Sequence, residues 1–232
     1  WSSQAGRAWV VGRASQRPRG GALGRAPGRR ADTAPPCPNP STQEDALATT
    51  TWRIDPAHSS VEFAVKHLMF TTVRGRFKKL EGEITVDEDA PENSRVEVEI
   101  DAASIDTGAE DRDTHLRSAD FLDVENHPTI TFRSRRVEGA YAEAGDRFKV
   151  IGDLTIRGTT LEVTLDATFE GTGQDPWGGQ RAGFRATTEI DRRDWGLRWN
   201  QALETGGVLV GHSVRIEIEA QAIKQEEAAA GA

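Results

Sequence analysis

The sequence predicts an all-β protein: an eight-stranded antiparallel β-barrel with one short helix, preceded by a disordered N-terminal tail. The first observation is that residues 51–224 contain about eight segments in which apolar and polar residues alternate. The second is that turn residues such as Arg157-Gly158 separate the segments by short links. Strict alternation makes one face of a strand dry and the other wet, so these segments are one-sided strands.

The eight segments share a period of two, in which every second side chain is apolar. They are residues 61–65, 80–86, 96–100, 130–132, 148–156, 161–169, 182–190 and 214–220. Arg157-Gly158 predicts a tight hairpin between the fifth and sixth strands. One-sided strands with short links can form a sandwich or close into a barrel. A barrel of about eight strands has an interior just wide enough for its own side chains or one slim ligand.

Residues 1–50 are rich in Arg, Gly, Pro and Ala and lack hydrophobic periodicity. Such a stretch cannot bury enough apolar surface to offset its ordering entropy, so we predict a disordered tail, and another at residues 225–232. The apolar stretch at residues 8–11 is shorter than the ~7–15 residues of a secretory signal, which favours a cytoplasmic location. Because the sequence begins with Trp1 rather than Met, a periplasmic or secreted location stays open, as does whether the tail is native.

Charge and composition argue against several classes of protein. The net charge of −8 argues against a nucleic-acid partner, because phosphates require a basic surface. No run approaches the ~18–20 apolar residues of a membrane-spanning helix. The five histidines lack a compact metal-ligand spacing and the one cysteine, Cys37, lies in the tail, so we predict neither a metal site nor a disulfide. No Gly-x-Ser-x-Gly motif or other catalytic constellation is present, which predicts a protein without catalytic residues or a cofactor.

Residues 107–117 lack the alternation of the strands and are predicted to form a short helix. Thr107 is the expected N-cap, and acidic residues follow it near the positive end of the helix dipole. Side chains four positions apart form two expected ion pairs, Asp111–His115 and Asp113–Arg117. This polar cluster has two interpretations: it grips a head group at the mouth of the barrel, or it is a capped helix with weak surface ion pairs.

Three tryptophans, Trp177, Trp195 and Trp199, lie close together in the sequence with several glycines around them. Aromatic side chains among glycines are compatible with a ligand entrance. They are more often typical of packing at a barrel rim, or of plugs at strand ends. The sequence leaves both interpretations open.

Short motifs occur in a set order along most of the chain. They are Ile54-Asp55, His58-Ser59, Gly75-Arg76-Phe77, Ser104-Ile105-Asp106-Thr107-Gly108, Arg112-Asp113-Thr114-His115-Leu116, Asp120-Phe121, Pro128-Thr129-Ile130-Thr131-Phe132, Gly152-Asp153-Leu154-Thr155-Ile156-Arg157-Gly158 and Arg193-Asp194-Trp195-Gly196. No single motif is decisive, but their joint order and spacing from Trp52 to about Ala222 are specific. In these motifs the chain resembles the YceI-like polyisoprenoid-binding family.

The resemblance implies a lipocalin-like antiparallel barrel around a polyisoprenoid or similar amphiphilic lipid, such as a prenyl quinone or prenyl phosphate. The protein would sequester or carry this lipid without catalysing a reaction. Leu122 and Trp195 depart from the family pattern, which commonly has a second aromatic residue and Phe at these positions. Both departures are expected to reshape the cavity.

The alternation and the resemblance together predict the residues that contact the ligand. The expected lipid-binding residues are apolar strand positions: Phe63, Phe132, Phe148, Leu154, Leu165, Phe184 and Ile216. The expected head-group residues are polar: His67, Arg112 and His115. An isoprenoid lipid is therefore the expected partner, and a homodimer is left open. One alternative is a lipid-modifying enzyme with acids and histidines converging inside the barrel; the other is a stress-related scaffold protein with a solid core.

Overall fold

The computed structural model describes residues 49–139, 141–204 and 206–225, and strands dominate this part of the chain. The strands are β1 (Thr49–Ile54), β2 (Ser60–His67), β3 (Thr71–Phe77), β4 (Leu80–Asp87), β5 (Arg95–Asp101), β6 (Ile105–Asp106), β7 (Thr129–Glu138), β8 (Arg147–Ile156), β9 (Thr159–Gln174), β10 (Gln180–Asp191) and β11 (Val210–Lys224). One α-helix, α1, covers Glu110–Arg117 between β6 and β7. The predicted tails lie outside the described residues, except that β1 already begins at Thr49 and Gln225 follows β11.

Eight of these strands close a ring, in the order β1, β4, β5, β7, β8, β9, β10 and β11, and β11 pairs back onto β1. All pairings in the ring are antiparallel. The other three strands extend the ring at one end, where β2 pairs with β11 and β3, and β3 pairs with β6. Along the chain β2 follows β1, β4 follows β3 and β6 follows β5, so each extension continues a ring strand after a short break. The prediction of an eight-stranded antiparallel barrel with one short helix is confirmed.

The eight segments with alternating residues all lie within strands, namely β2, β4, β5, β7, β8, β9, β10 and β11. The sequence did not reveal β1, β3 and β6. In β1 and β6 the apolar positions are too few to establish a period, and in β3 a glycine, Gly75, occupies the place of the central inward side chain. The hairpin prediction is confirmed: Arg157 and Gly158 have φ values of 49° and 71° between paired Ile156 and Thr159. Two consecutive residues with positive φ are the signature of a two-residue turn that matches strand twist.

The helix is shorter than predicted, and its polar contacts differ. Thr107 is not the N-cap; Ala109 precedes the helix without a side-chain cap. The backbone N–H and hydroxyl of Thr107 donate instead to Asp113 Oδ1, at 2.9 and 2.5 Å, which turns Asp113 inward. Both predicted ion pairs are therefore wrong. His115 Nε2 lies 3.0 Å from Asp120 Oδ2, and the Arg117 guanidinium lies 3.2 Å from Glu110 Oε1.

The two ends of the barrel carry different connections. We call one the helix end; it holds α1, the β2–β3 turn at residues 68–70 and the loop of residues 196–209. Contacts join these parts, since the Leu68 N–H donates to the Leu209 carbonyl at 2.8 Å and the rings of His115 and Trp199 are 4.6 Å apart. We call the other the far end; it holds the β4–β5, β7–β8 and β9–β10 connections. Over the described residues, helices are too short or too polar to cross a bilayer.

Candidate functional site

The barrel encloses a cavity of about 580 Å³, lined mainly by the inward side chains of its strands. This volume lies within the range of ~300–1,000 Å³ that is typical of small-molecule sites. The wall is apolar along almost all of its length, because the alternation in each strand directs Val, Ile, Leu and Phe inward and the charged residues outward. Protein interiors ordinarily have few voids larger than a water molecule, so this interior is not a solid core.

All seven residues that the sequence assigned to the wall line this cavity: Phe63, Phe132, Phe148, Leu154, Leu165, Phe184 and Ile216. Phe132, Phe148 and Leu154 are buried, and the other four are half-buried. Leu122 and Trp195, the two departures from the family pattern, are also buried in the wall. Their role in holding a lipid stays a prediction.

Two inward-facing glycines give the wall its shape. A Cβ atom on Gly75 would lie 2.5 Å from Phe63 Cζ, so the absence of a side chain lets this ring lie across β3. A Cβ atom on Gly152 would lie 2.4 Å from the carbonyl oxygen of Arg133, where the β7–β8 register shifts. Such glycines mark places where another group approaches the backbone closely.

Three rings meet where α1 covers the helix end of the cavity. The His115 ring packs edge-on against both Phe121 and Trp199, with centroid distances of 5.1 and 4.6 Å, and the last two rings are 5.4 Å apart. All three side chains line the cavity. His115, predicted as a head-group residue, therefore combines an apolar contact surface with a polar edge that lies near Asp120.

The other two predicted head-group residues also line this end of the cavity. Arg112 is exposed on α1, and its Nε–H and one Nη–H donate to the Thr107 hydroxyl and carbonyl at 2.7 and 2.9 Å. These bonds hold one edge of the guanidinium and leave its remaining N–H groups available to a ligand. His67 is the last residue of β2 and is half-buried. The structure thus places all three polar candidates at one end.

Sequence reasoning missed Arg192, which lines the cavity and is only 4% exposed. Its guanidinium donates to four backbone carbonyls, those of Leu197, Trp199, Val210 and Gly211. Burial lowers the pKa of Arg192, although a guanidinium stays charged at neutral pH. The sequence pattern of β10 could have predicted this residue. Inward side chains occur at every second position up to Ile190, and the next position in that series is residue 192.

Arg192 carries its charge into the cavity wall without an acidic partner among the described residues. The neighbouring acid, Asp191, pairs with Arg193, and this hydrogen bond lowers the pKa of the Asp191 carboxyl. Four of the five guanidinium N–H groups are used by the carbonyls, which leaves one. The site is therefore suited to an anionic group or a hydrogen-bond acceptor on a ligand.

The far end of the cavity has one polar contact of a different kind. The hydroxyl groups of Tyr141 and Ser94 are 2.5 Å apart, and Ser94 also accepts the Asp87 N–H. Burial raises the pKa of Tyr141, so its phenol is neutral at physiological pH. The Tyr141 ring packs against Phe148 with a centroid distance of 4.9 Å. At this end the cavity wall therefore presents two hydroxyl groups beside aromatic rings.

Four residues of the cavity wall are exposed. Lys66 and Glu219 are outward positions of β2 and β11, so their exposure marks no opening, whereas Asp111 and Arg112 lie on α1 at the helix end. The mouth of the cavity is therefore at the helix end. The described residues contain no cluster of His, Cys, Asp and Glu suited to a metal ion.

The three tryptophans that lie close in sequence have different surroundings. Trp199 is half-buried at the mouth, which fits the interpretation of a ligand entrance. Trp195 is buried, and its Nε1–H donates to the Leu154 carbonyl at 3.1 Å, which fits a strand-end plug. Trp177 lies in the β9–β10 turn at the far end and is 86% exposed.

Comparison with protein families and curated sequences gives consistent matches. A model described as the YceI-like domain matches residues 52–222. A UPF0312 protein of Vibrio cholerae is 42% identical over 142 residues, covering 61% of this chain and 74% of that protein. A UPF0312 protein of Staphylococcus epidermidis is 38% identical over 173 residues, covering 74% of this chain and 96% of that protein.

Solved structures share the fold. The YCEI protein of Campylobacter jejuni is 29% identical with a TM-score of 0.58, over 69% of this chain and 90% of that one. BcnA of Burkholderia cenocepacia has a TM-score of 0.61 at 24% identity, over 72% and 98% of the two chains. A polyisoprenoid binding domain from Saccharophagus degradans has a TM-score of 0.54 at 16% identity, over 77% and 99%.

Proposed function

The chain belongs to the YceI-like domain family, and from this we propose that it binds a polyisoprenoid or similar amphiphilic lipid inside the barrel and sequesters or carries it unchanged. Lipid binding in general agrees with the family and with the fold of a domain named for polyisoprenoid binding. The identity of the lipid, a prenyl quinone or a prenyl phosphate, and the carrier role are the specific parts of the proposal.

The observation that carries this proposal is the apolar cavity of about 580 Å³ inside the barrel. An engineered apolar cavity of only ~150 Å³ stays dry and takes up benzene, so a much larger cavity of the same character suits a longer apolar chain. Each Å² of apolar surface removed from water contributes about 25 cal/mol, which favours transfer of an isoprenoid tail from water into this wall.

The polar groups give the bound lipid a direction. Arg192, Arg112 and His115 line the helix end of the cavity, whereas Tyr141 and Ser94 line its far end with uncharged hydroxyl groups. We therefore place the head group at the helix end and the tail toward the far end. Phosphate oxygens or quinone carbonyls are the acceptors that the free guanidinium N–H groups can bind.

The two alternative functions have less support from the geometry. A scaffold with a solid core requires a filled interior, and the cavity contradicts this requirement. A lipid-modifying enzyme requires acids and histidines that converge inside the barrel. The acids that line the described cavity, Asp111 and Glu219, are both exposed, and His115 is held beside Asp120.

Native mass spectrometry of the full chain, purified without detergent and followed by solvent extraction, tests the proposal. The expected result is a bound mass that extracts as a prenyl quinone or prenyl phosphate. A bare protein that also fails to take up added prenyl lipid would contradict it. An extracted lipid that is chemically altered on incubation would favour the enzyme.

A matched pair of variants locates the ligand. Ala186 lines the cavity from β10, and Arg185 beside it is exposed on the outer face. Ala186→Trp fills part of the cavity and is expected to weaken lipid uptake at least about tenfold, at a stability cost of ~1–3 kcal/mol. Arg185→Trp adds the same side chain outside and should bind lipid as the wild type does. Equal uptake by both variants would place the ligand elsewhere.

A further inference from the structure

The β2–β3 turn presents apolar side chains to solvent. Leu68, Met69 and Phe70 form it, and we call these three residues the apolar tip. Met69 is 59% exposed and Phe70 is 74% exposed, whereas Leu68 is half-buried. Two large neighbouring apolar side chains at the end of a hairpin make a small protruding patch, which is a different feature from apolar residues scattered singly over a surface.

The backbone of the apolar tip is strained, and burial does not compensate for the strain. Leu68 and Met69 have φ values of 52° and 66°, in the left-handed region that glycine and asparagine adopt most readily. Such strain persists only where the surroundings hold it, and it is concentrated at functional sites. Here the Met69 and Phe70 side chains are mostly exposed, although Met69 Cγ lies close to Gly207 of the loop of residues 196–209.

The apolar tip lies directly beside the mouth of the cavity. The Leu68 N–H donates to the carbonyl of Leu209, and the neighbouring pair His67–Val210 joins β2 to β11. His67, Leu209 and Val210 all line the cavity. A surface that receives the tip therefore faces the opening through which a lipid enters or leaves.

The strands behind the tip are basic. Lys66 and Arg74 are exposed on β2 and β3, and neither forms an ion pair within the described residues. This local charge contrasts with the net charge of −8 for the chain. A protruding apolar patch with cations behind it matches the interface of an anionic bilayer, where apolar side chains enter the head-group boundary and cations meet lipid phosphates.

We propose that the apolar tip docks the protein on an anionic lipid bilayer, with Met69 and Phe70 inserted among the head groups and the mouth of the cavity facing the membrane. When the protein is docked, an apolar ligand that moves between the bilayer and the cavity would cross only the short gap at the mouth and would avoid bulk water. The role of this surface in lipid transfer rests on the proposed function, but membrane binding itself does not.

Trp177 provides an internal control for this proposal. It is 86% exposed, more than either residue of the tip, but it stands alone at the far end between Pro176 and Gly178. The nearest arginine, Arg181, is bonded to two acids rather than free. If exposure of one aromatic ring were enough for membrane binding, Trp177 would bind as strongly as the tip.

Flotation of the full chain with vesicles of equal parts phosphatidylcholine and phosphatidylglycerol tests the proposal. The tip variant is Met69→Asn/Phe70→Ser, in which asparagine suits the positive φ and folding is expected to be preserved. Its partition coefficient should fall about tenfold or more, because about 25 cal/mol is lost for each Å² of apolar surface no longer inserted. Trp177→Ser should partition as the wild type does, and Arg74→Gln should weaken binding only at low salt.

Three results would overturn the proposal: no vesicle binding by the wild type, equal binding by wild type and tip variant, or an equal loss in Trp177→Ser. Light scattering tests a fourth result that would overturn the proposal. If the wild type is a dimer and the tip variant is a monomer, the apolar tip binds a second copy of the chain rather than a bilayer. Uptake of a short water-soluble prenyl phosphate, measured without vesicles, separates the two proposals. If only vesicle binding fails, docking is wrong; if only uptake fails, the proposed ligand is wrong.

Discussion

Two arginines, one at each end of the barrel, have opposite surroundings. Arg181 at the far end is held between two carboxylates, with Asp55 Oδ2 and Asp175 Oδ2 each 2.8 Å from the guanidinium. The hydrogen bonds that Arg181 donates to Asp175 and to Asp55 raise the pKa of Arg181, with Asp175 the larger cause. Arg192 at the helix end is bonded only to carbonyls, and burial lowers the pKa of its guanidinium.

The difference shows how one residue type serves two purposes. At the far end the charge of Arg181 is balanced locally, so it joins the β9–β10 turn to the segment between β1 and β2 and closes the barrel. At the helix end Arg192 donates its hydrogen bonds to carbonyls and forms no ion pair with an acid of the described residues, so its charge remains available to attract a ligand. Arg181 is paired with acids outside the cavity wall, whereas Arg192 brings its guanidinium into the wall, and this difference gives the cavity its direction.

The largest expected effect comes from removing Arg192. Arg192→Met removes the side-chain donor from the carbonyls of Leu197, Trp199 and Gly211, whereas the Val210 carbonyl keeps its bond from the Asn200 side chain. The variant should therefore lower the free energy of unfolding by about 3 kcal/mol or more. Arg192→Lys retains the charge and some of the bonds, so it should recover part of the stability and part of any preference for anionic lipid. Chemical denaturation and lipid competition check both effects. A fully stable Arg192→Met variant with unchanged lipid preference would remove the contrast between the two ends.

The next effect concerns the rings at the mouth. Trp199→Ala removes the contacts with His115 and Phe121, and aromatic pairs of this kind contribute ~0.5–1.5 kcal/mol each. Bound lipid should dissociate up to about tenfold faster, measured by fluorescence with a prenyl probe. Trp177→Ala at the far end is the matched control and should leave the rate unchanged. An unchanged or slower rate in Trp199→Ala would show that this ring does not hold the bound ligand in the cavity.

A smaller effect is expected at the far end and sharpens the orientation of the ligand. Tyr141→Phe removes the hydroxyl that meets Ser94 and should lower stability by about 1 kcal/mol, because Ser94 keeps its bond with the Asp87 N–H. The preference among prenyl head groups should not change, as judged by competition between prenyl phosphate and prenyl quinone. A reversed preference would place the head group at the far end.

The smallest effect is the pH dependence of the Arg181 cluster. The neighbouring His58, and then Arg181, lowers the pKa of Asp55, and Arg181 lowers the pKa of Asp175. Carboxyls whose pKa falls on folding stabilise the fold above their unfolded value of ~3.9 and lose this contribution as the pH falls below it. Arg181→Gln should therefore be less stable than the wild type at neutral pH, and the difference should shrink in acid. A constant difference in urea unfolding from neutral to acidic pH would contradict this origin.

Much of the fold was predictable because the alternation of apolar residues is a local property. Each of the eight segments became a strand, and the predicted wall residues, from Phe63 to Ile216, face the cavity. β6 was missed because it has only two residues, and β3 because Gly75 interrupts its apolar pattern; pairing with neighbouring strands holds both in place. Residues 1–48 and 226–232 lie outside the described part of the chain, so the predictions for them stay predictions.

The polar half of the site was harder to predict, because polar side chains choose partners by proximity in space. Helical spacing suggested an Asp113–Arg117 pair, but Asp113 bonds Thr107, and Arg117 donates to the carbonyls of Ala103 and Ile105 as well as to Glu110. Spacing along a helix indicates which side chains can form ion pairs with each other. It is weak evidence when a neighbouring strand offers buried partners, because an exposed ion pair contributes only ~0.3–0.5 kcal/mol to stability.

The sequence by itself determined the one-sided strands, the inward set of apolar side chains and the membership in a family, because these depend on order and spacing along the chain. The tertiary structure decided what the closed ring brings together. It pairs Trp52 with Lys224, packs His115 against Trp199, and turns Arg192 toward carbonyls rather than acids. The alternation of a strand decides which way a side chain faces, whereas closure of the barrel decides what that side chain meets.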